Sequence, residues 1–386
     1  MSTGKNENLP GILAGTRQLA TFPIEKLRCV DRPTNLITDK VQRIDQRETA
    51  IARAGRGEYG SEVQKGVERL AERDPITEAI KDINRHMGAI KRNEIAAVKA
   101  PITSDPLVLS RHIKRLGYFL KADIIGICEP PKTAVYSHDR NGNPVNLNYK
   151  YAIVIVMRKD YRTVDASAGH DFIADALSIQ AYEHSGLVAE TISDYIKRLG
   201  YPALPQSAVS GYSVLMPSLL LWAGIGEVSR VGIILNPFLG LAFKAAAVLT
   251  DMPLVPDKPI DFGLQDFCRR CRKCATMCPS KAISTGDKVM YNGYETWKLK
   301  EKQCASFIML NKRGFWCNTC VKVCPWTQPD TWPHRLVRWG VMRSGLARAV
   351  AIQGDRLFGH TKGNEPEKWW FDLVYQNGVL HVPPPD

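Results

Sequence analysis

The sequence predicts an α/β (α+β) core joined to a compact cysteine-rich module, on three observations. Between residues 105 and 250, short β-rich runs alternate with amphipathic stretches of helical period. Eight of the ten cysteines then crowd between residues 268 and 324. Apolar residues make up 44% and charged residues 24%, as in a globular chain able to bury an ordinary core.

Residues 1–104 are polar and charged, with helix-like patterning from about 61 to 99, and predict an extended arm plus helices. The first ten residues have the composition of a disordered end. DPLVLSRHIKRLGYFL predicts a helix capped by Ser104 or Asp105 and ending at a glycine. ADIIGIC (122–128), YAIVIVMR (151–158) and VGIILN (231–236) read as strands. Residues 170–198 read as a long amphipathic helix closed by Gly200. The expected units are an arm (1–104), an α/β core (105–262), the cysteine module (263–330) and a tail packed on the core (331–386).

A net charge of +13 and pI near 9.2 suit nucleic acid, an acidic membrane surface or an acidic protein partner, or simply a solvated basic surface. The amino terminus carries neither a secretory signal nor a twin-arginine pair. The most apolar stretch, 214–249, is broken by Pro217, Glu227, Arg230 and Pro237, so no run approaches the roughly 20 residues of a membrane span. Both points predict a cytoplasmic chain, in which clustered thiols bind metal rather than pair as disulfides.

Cys268, Cys271, Cys274 and Cys278 follow C-x2-C-x2-C-x3-C-P, the bacterial ferredoxin run. Cys317, Cys320 and Cys324-Pro repeat it one cysteine short, and Cys304 is the natural replacement. In that pattern the fourth cysteine of each run ligates the other 4Fe–4S cube. Cys268, Cys271, Cys274 and Cys324 then hold one cluster, and Cys278, Cys304, Cys317 and Cys320 the second. Structural zinc is the rival reading, since C-x2-C pairs also make zinc sites. Cys29 and Cys128 fall outside both sets as incidental thiols.

AGIGEVSRVGIILNPFLG (223–240) and TDMPLVPDKPIDFGLQDFC (250–268), followed by the cluster run and CNTCVKVCPW, resemble the cobalamin-dependent reductive dehalogenases over residues 210–326. Epoxyqueuosine reductase is the sister family. The resemblance implies a nitroreductase-like core that binds cobalamin base-off. Two 4Fe–4S clusters would pass electrons to its cobalt, and halide would leave an organohalide by reduction and protonation. Ser229 stands where the family usually has glycine.

For the proton, the resemblance implies a tyrosine. The window SAVSGYSVLMPSLLLW holds Tyr212 and lacks the carboxylate expected of an epoxyqueuosine reductase. Tyr201 is the competing phenol, read as packing at a helix end. Lys244 stands where the family carries a basic residue, with a snorkelling lysine on an apolar helix as the plainer alternative. Gly224, Gly226, Gly232 and Gly240 lack the G-x-G-x-x-G spacing of a nucleotide fingerprint and are expected to let backbone lie against a flat cofactor. Asn236 is a weaker polar candidate, balanced against a turn residue before Pro237.

The 62 residues after Cys324 are too few for a fused reductase domain, which implies a separate, acidic ferredoxin or flavodoxin as donor. Arg269, Arg270, Arg272 and Lys273 are its candidate docking patch. Trp297, Trp316, Trp326, Trp369 and Trp370 are candidate pocket walls. The expected partner is a small organohalide, with no nucleic acid and no transmembrane segment. The alternatives are an epoxyqueuosine reductase-like enzyme acting on tRNA and a non-catalytic corrinoid or electron-transfer protein.

Overall fold

Apolar side chains on both faces of successive strands require a sheet covered on both sides. The computed structural model describes residues 21–69, 75–89, 94–167, 173–311, 316–359, 370–376 and 379–382. The disordered end expected at 1–10, residues 170–172 of the long helix and Trp369 lie outside the described residues.

Three helices, α1 (Ala50–Gly55), α2 (Ser61–Glu68) and α3 (Pro75–Ala89), precede α4 (Pro106–Phe119) and strand β1 (Ile124–Cys128). Then follow β2 (Tyr151–Arg158), α5 (Tyr161–Ser167), α6 (Ile173–Arg198), β3 (Ala203–Gln206) and α7 (Met216–Trp222). A short pair, β4 (Glu227–Val228) and β5 (Ile234–Leu235), leads to β6 (Phe243–Thr250). The cysteine module contains α8 (Leu264–Cys271), α9 (Lys273–Thr276), β7 (Val289–Tyr291), β8 (Tyr294–Thr296), α10 (Glu301–Leu310) and α11 (Thr319–Lys322). Helices α12 (Trp332–Arg343) and α13 (Gly345–Phe358) follow, then the hairpin β9 (Val374–Gln376) and β10 (Val379–His381).

The main sheet has the order β1-β2-β6-β3, and every neighbouring pair is antiparallel. The alternation of strands and helices therefore builds an α+β sheet rather than parallel βαβ units. Ile125, Ile127, Ile153, Ile155, Ala246 and Val248 face α4 and α6, where Leu109, Ile113, Val188, Ile192 and Ile196 meet them. Ile124, Cys128, Val154, Val156, Ala245, Ala247 and Leu249 face the other way, toward α7 and the cysteine module. The period of two assigns each residue to one face.

Two sequence expectations need correction here. The apolar helix offered as the plainer alternative for Lys244 is instead the central strand β6, FKAAAVLT. Its small side chains are buried and packed on both faces, and tertiary contacts override alanine's helix preference. In VGIILN only Ile234 and Leu235 pair, with Val228 and Glu227, in a two-residue ladder. Asp105 does cap α4, accepting from the backbone N–H groups of Leu107 and Val108. The helix runs through Gly117 rather than ending there; a β-carbon at that glycine would sit 2.6 Å from Ile125 Cδ1, so the glycine admits the strand beneath it.

The expected boundary at 262/263 is no break in the core. One apolar cluster runs from Phe22 and Leu27 through the sheet to Phe267, Cys268, Cys278, Ala282 and Trp326. Among the described residues, no helix is long and apolar enough to cross a membrane.

Candidate cluster and phenol–lysine site

Both ligand loops are built by the same local turn. After Cys271, Arg272 adopts a left-handed φ of 58° and starts α9; after Cys317, Asn318 adopts 50° and starts α11. The left-handed residue reverses the chain, so that the thiols of each C-x2-C pair can converge on one cube. Non-glycine residues rarely adopt this conformation, and its occurrence twice at matching positions marks the loops as a related pair.

The thiol neighbourhoods cross between the two runs. The thiols whose charges bear on Cys324 are Cys274, Cys268 and Cys271. Those bearing on Cys304 are Cys317 and Cys278. Cys320 feels Cys317 first, then Cys274, Cys304 and Cys278, so the two sets adjoin at Cys274 and Cys320. Burial pushes Cys268, Cys320 and Cys324 far above the ordinary thiol range, and Cys274 to about 12. All eight are free of disulfides. Among the described residues, no three metal-ligating side chains gather as a site for a single ion. A donor set of four thiols per group, spread around shared space, fits a cube, which spaces its ligands more widely than a lone tetrahedral ion does.

The second set opens onto a cavity of about 180 Å³, lined among others by Cys278, Cys304, Cys317, Cys320, Lys159, Lys244 and Trp316. Val231, Ile233, Leu241 and Phe243 form its apolar wall. Ile233 is 41% exposed, beside exposed Gly232, in a segment buried on either side of them. This volume and wall fit a cluster and one edge of a large flat group, not a whole corrinoid.

One face of α6, at intervals of four residues, contacts side chains that line this cavity. Ala174 accepts from Asn318 Nδ2 at 3.3 Å, which ties the second ligand loop to the helix. Ser178 accepts from Lys159 Nζ at 2.9 Å. Tyr182 presents its ring to Lys244, whose Nζ lies 4.5 Å from the ring centroid and 5.8 Å from that of Trp316. Residues four apart share a helix face, so Ala174, Ser178 and Tyr182 line up along it. Lys159 and Lys244 meet there because Lys159 follows β2 and bonds Ala242 O, just before β6. Lys159 is 4% exposed, and burial, with the charge of Lys244 next, holds its ammonium well below the usual lysine range.

Tyr212, the phenol expected from the sequence, is half-buried, and its hydroxyl donates to Ala245 O at 3.1 Å. Burial, and then Tyr182, push its phenol well above the usual tyrosine range. Lys244 is thus stacked on Tyr182, while Tyr212 bonds the backbone of the next residue in β6. Tyr182 was not found from the sequence. Its only signal was an aromatic four residues after a serine on an amphipathic helix, and the partner lies sixty-two positions away on a strand misread as helix. Tyr201 is a packing residue, with Lys99 Nζ 4.6 Å from its ring centroid.

The glycine segment is not a bare cofactor floor. A β-carbon at Gly224 would strike Lys258 O at 2.3 Å, at Gly226 Leu235 O at 2.2 Å, and at Gly240 the Thr327 backbone at 2.6 Å. These three admit protein backbone, whereas a β-carbon at Gly232 would make only ordinary contact, 3.8 Å from Trp297 O. Asn236 is fully buried in a turn: Nδ2 donates to Ile225 O and Oδ1 accepts from Phe238 and Leu239 N–H. Its turn role is the one the contacts support.

The aromatic and basic candidates also separate. Trp316 lines the cavity; Trp297 and Trp326 are buried, the latter against Phe262 and Phe267; Trp370 donates to Thr163 Oγ1. Arg269 and Arg270 share Asp266, and Lys273 is largely buried against Asp355, so Arg272 alone of the four has no carboxylate within ion-pair distance among the described residues. Cys128 is buried with Sγ toward Leu219 O, and Cys29 is half-buried in a backbone bridge to Ile260.

Known proteins place this arrangement. The 4Fe-4S double cluster binding domain family matches residues 267–327. A tetrachloroethene reductive dehalogenase of Desulfitobacterium hafniense is 34% identical over 60% of this chain and 42% of its own length. The enzyme of the same name from Sulfurospirillum multivorans is 27% identical over 70% of this chain and 61% of its own. The solved catabolic reductive dehalogenase NpRdhA, in complex with 3-bromo-4-hydroxybenzoic acid, superposes with a TM-score of 0.89 at 36% identity, over 95% of this chain and 54% of that one. The chain thus spans about half the length of the relatives it matches. By sequence and by fold, the chain is similar to the reductive dehalogenases over this shared part.

Proposed function

We propose that the chain carries the catalytic core of a reductive dehalogenase, which converts R–X, two electrons and a proton to R–H and halide. The observation that carries this reading is that Lys244, which lines the cavity shared by Cys278, Cys304, Cys317 and Cys320, has its ammonium over the Tyr182 ring. A proton donor and the last electron carrier then address one volume. When bound, two 4Fe–4S clusters would supply electrons singly, and a base-off corrinoid, in a core of nitroreductase type, a strongly reducing cobalt. Cys268, Cys271, Cys274 and Cys324 would hold the first cluster; Cys278, Cys304, Cys317 and Cys320 the second. Val231, Ile233, Leu241, Phe243 and Trp316 would meet the corrinoid edge and exclude water.

The chain's own chemistry is proton delivery. A phenol, with an ordinary pKa near 10, stays protonated at neutral pH and is able to donate to carbon as halide leaves. The ammonium of Lys244 over the Tyr182 ring stabilises the phenolate that results. Tyr212, held by Ala245 O, supports the same wall from behind and is the second candidate. The substrate class is a small organohalide. The electron donor is an acidic ferredoxin or flavodoxin, to which a net charge of +13 is attractive.

The test is bromide release from 3-bromo-4-hydroxybenzoic acid and chloride release from tetrachloroethene by protein purified anaerobically with cobalamin. Halide release that falls with Tyr182→Phe at constant cofactor content supports the reading. Salt-sensitive tRNA binding without halide release would turn it toward the tRNA-directed alternative.

A further inference from the structure

Arg230 is 2% exposed and is the largest of the fully buried side chains. Its guanidinium donates only to backbone carbonyls: Nε to Cys268 O at 2.9 Å, Nη1 to Ser284 O at 2.8 Å and Gly286 O at 2.9 Å, and Nη2 to Arg269 O at 3.4 Å. Its Cζ lies 4.6 Å from the ring centroid of buried Trp297. Among the described residues, no carboxylate comes within ion-pair distance of it. A buried cation answered only by dipoles is costly, by several kcal/mol in general, unless a counter-charge lies close.

The charge that is close belongs to the thiolates of the first set. The Cys268 carbonyl is its direct acceptor, and Cys268, Cys274 and Cys271, which would be thiolates once they ligate a cluster, are the cysteines that bear on it. Arg230 also ties the first ligand helix, α8, to the 284–286 turn, so that both walls of the ligand loop hang from one guanidinium. Lys288, the other cation on Trp297, pairs with Glu295 instead and is bonded away from the cysteines.

We propose that Arg230 is the built-in counter-cation of the first 4Fe–4S cluster, a positioning residue that makes reduction of that cluster easier and leaves the second unaffected. The proposal rests on the cluster assignment above. The step is the gain of one electron by the oxidised cluster from a low-potential donor such as dithionite, with no bond made or broken. A fixed positive charge nearby favours the more negative, reduced form.

The test is a redox-poised EPR titration of anaerobically reconstituted holoprotein, with iron counted per chain. Arg230→Gln keeps hydrogen-bond donors and removes the charge. At a fixed poise near the wild-type midpoint, the reduced-to-oxidised ratio of one cluster should fall about tenfold or more, as expected for a unit charge at close range in a partly buried setting. The other cluster should titrate as in wild type. Unchanged midpoints for both clusters at full iron content, or equal shifts of both, would overturn the proposal. Arg230→Lys keeps the charge but cannot span four carbonyls, and both its clusters should titrate as in wild type; a lowered midpoint there would overturn the proposal even if Arg230→Gln fails to assemble. Absence of iron–sulfur signals in the wild-type protein would instead sink the cluster reading itself.

Discussion

The ammonium of Lys244, on the central strand, stands 4.5 Å from the centre of the Tyr182 ring on helix α6. This contact joins residues sixty-two positions apart in sequence, and it makes Tyr182 the first phenol to test as the proton source. Tyr182→Phe should keep the ring and the stack but lower halide release by about 100-fold or more, the scale of a lost general acid. Tyr212→Phe should cost far less activity, with a modest loss of stability from the bond to Ala245 O. Steady-state halide assays with cofactor content held equal distinguish the two; the reverse ranking would restore Tyr212 as donor.

The crossed ligand sets predict paired phenotypes. Cys324→Ser should damage the same cluster as Cys274→Ser, although Cys324 lies in the second run. Cys278→Ser should damage the same cluster as Cys317→Ser. EPR of each reduced variant, with iron analysis, reads this directly. If Cys278→Ser and Cys274→Ser silence one common signal, the ligation is uncrossed.

Gly240 has φ of 58°, and a β-carbon there would lie 2.6 Å from Thr327 backbone atoms. Gly240→Ala should therefore destabilise the protein by about 2 kcal/mol or more, combining backbone strain with overpacking. The loss should appear in thermal unfolding with or without corrinoid. A variant of wild-type stability that fails only to bind corrinoid would return this glycine to the cofactor floor.

The double-cluster module was legible in the sequence because its geometry is local: two-residue gaps set the loops, and the left-handed turns at Arg272 and Asn318 complete them. The strands 124–128 and 151–158 were legible for the same reason, since β-branched runs bounded by polar loops bias the backbone without tertiary help. Tyr182 was not, because its meaning depends on which residue of β6 packs against α6. That strand was hidden by its alanines, whose intrinsic preference opposes the conformation that burial imposes. The glycines misled in a different way. Sequence signals that a backbone must be approached closely but not by what, and at 224, 226 and 240 the visitor is the protein itself.

Glu227 gives a pH signature. Burial, against the donors Thr34, Phe262 N–H and Gln265, raises its carboxyl above the ordinary glutamate range. A raised carboxyl contributes stability that is fully present below the unfolded-state pKa, near 4.3, and is lost as pH rises through the folded-state value. Wild type therefore loses this contribution on going from about pH 4.3 toward neutrality. Glu227→Gln cannot ionise, so its Tm relative to wild type should climb over that range. A difference that is flat or declines with pH would contradict the assignment.

The central claim is that one volume receives electrons from the second cysteine set and a proton from the phenol stacked on Lys244. The most direct test is single-turnover halide release by anaerobically reconstituted protein, with wild type and Tyr182→Phe loaded to the same iron and corrinoid content. The account predicts about eight irons per chain in both, a burst of halide in wild type, and its near loss in the variant. Equal bursts from the two proteins, or no halide from fully loaded wild type, would contradict it.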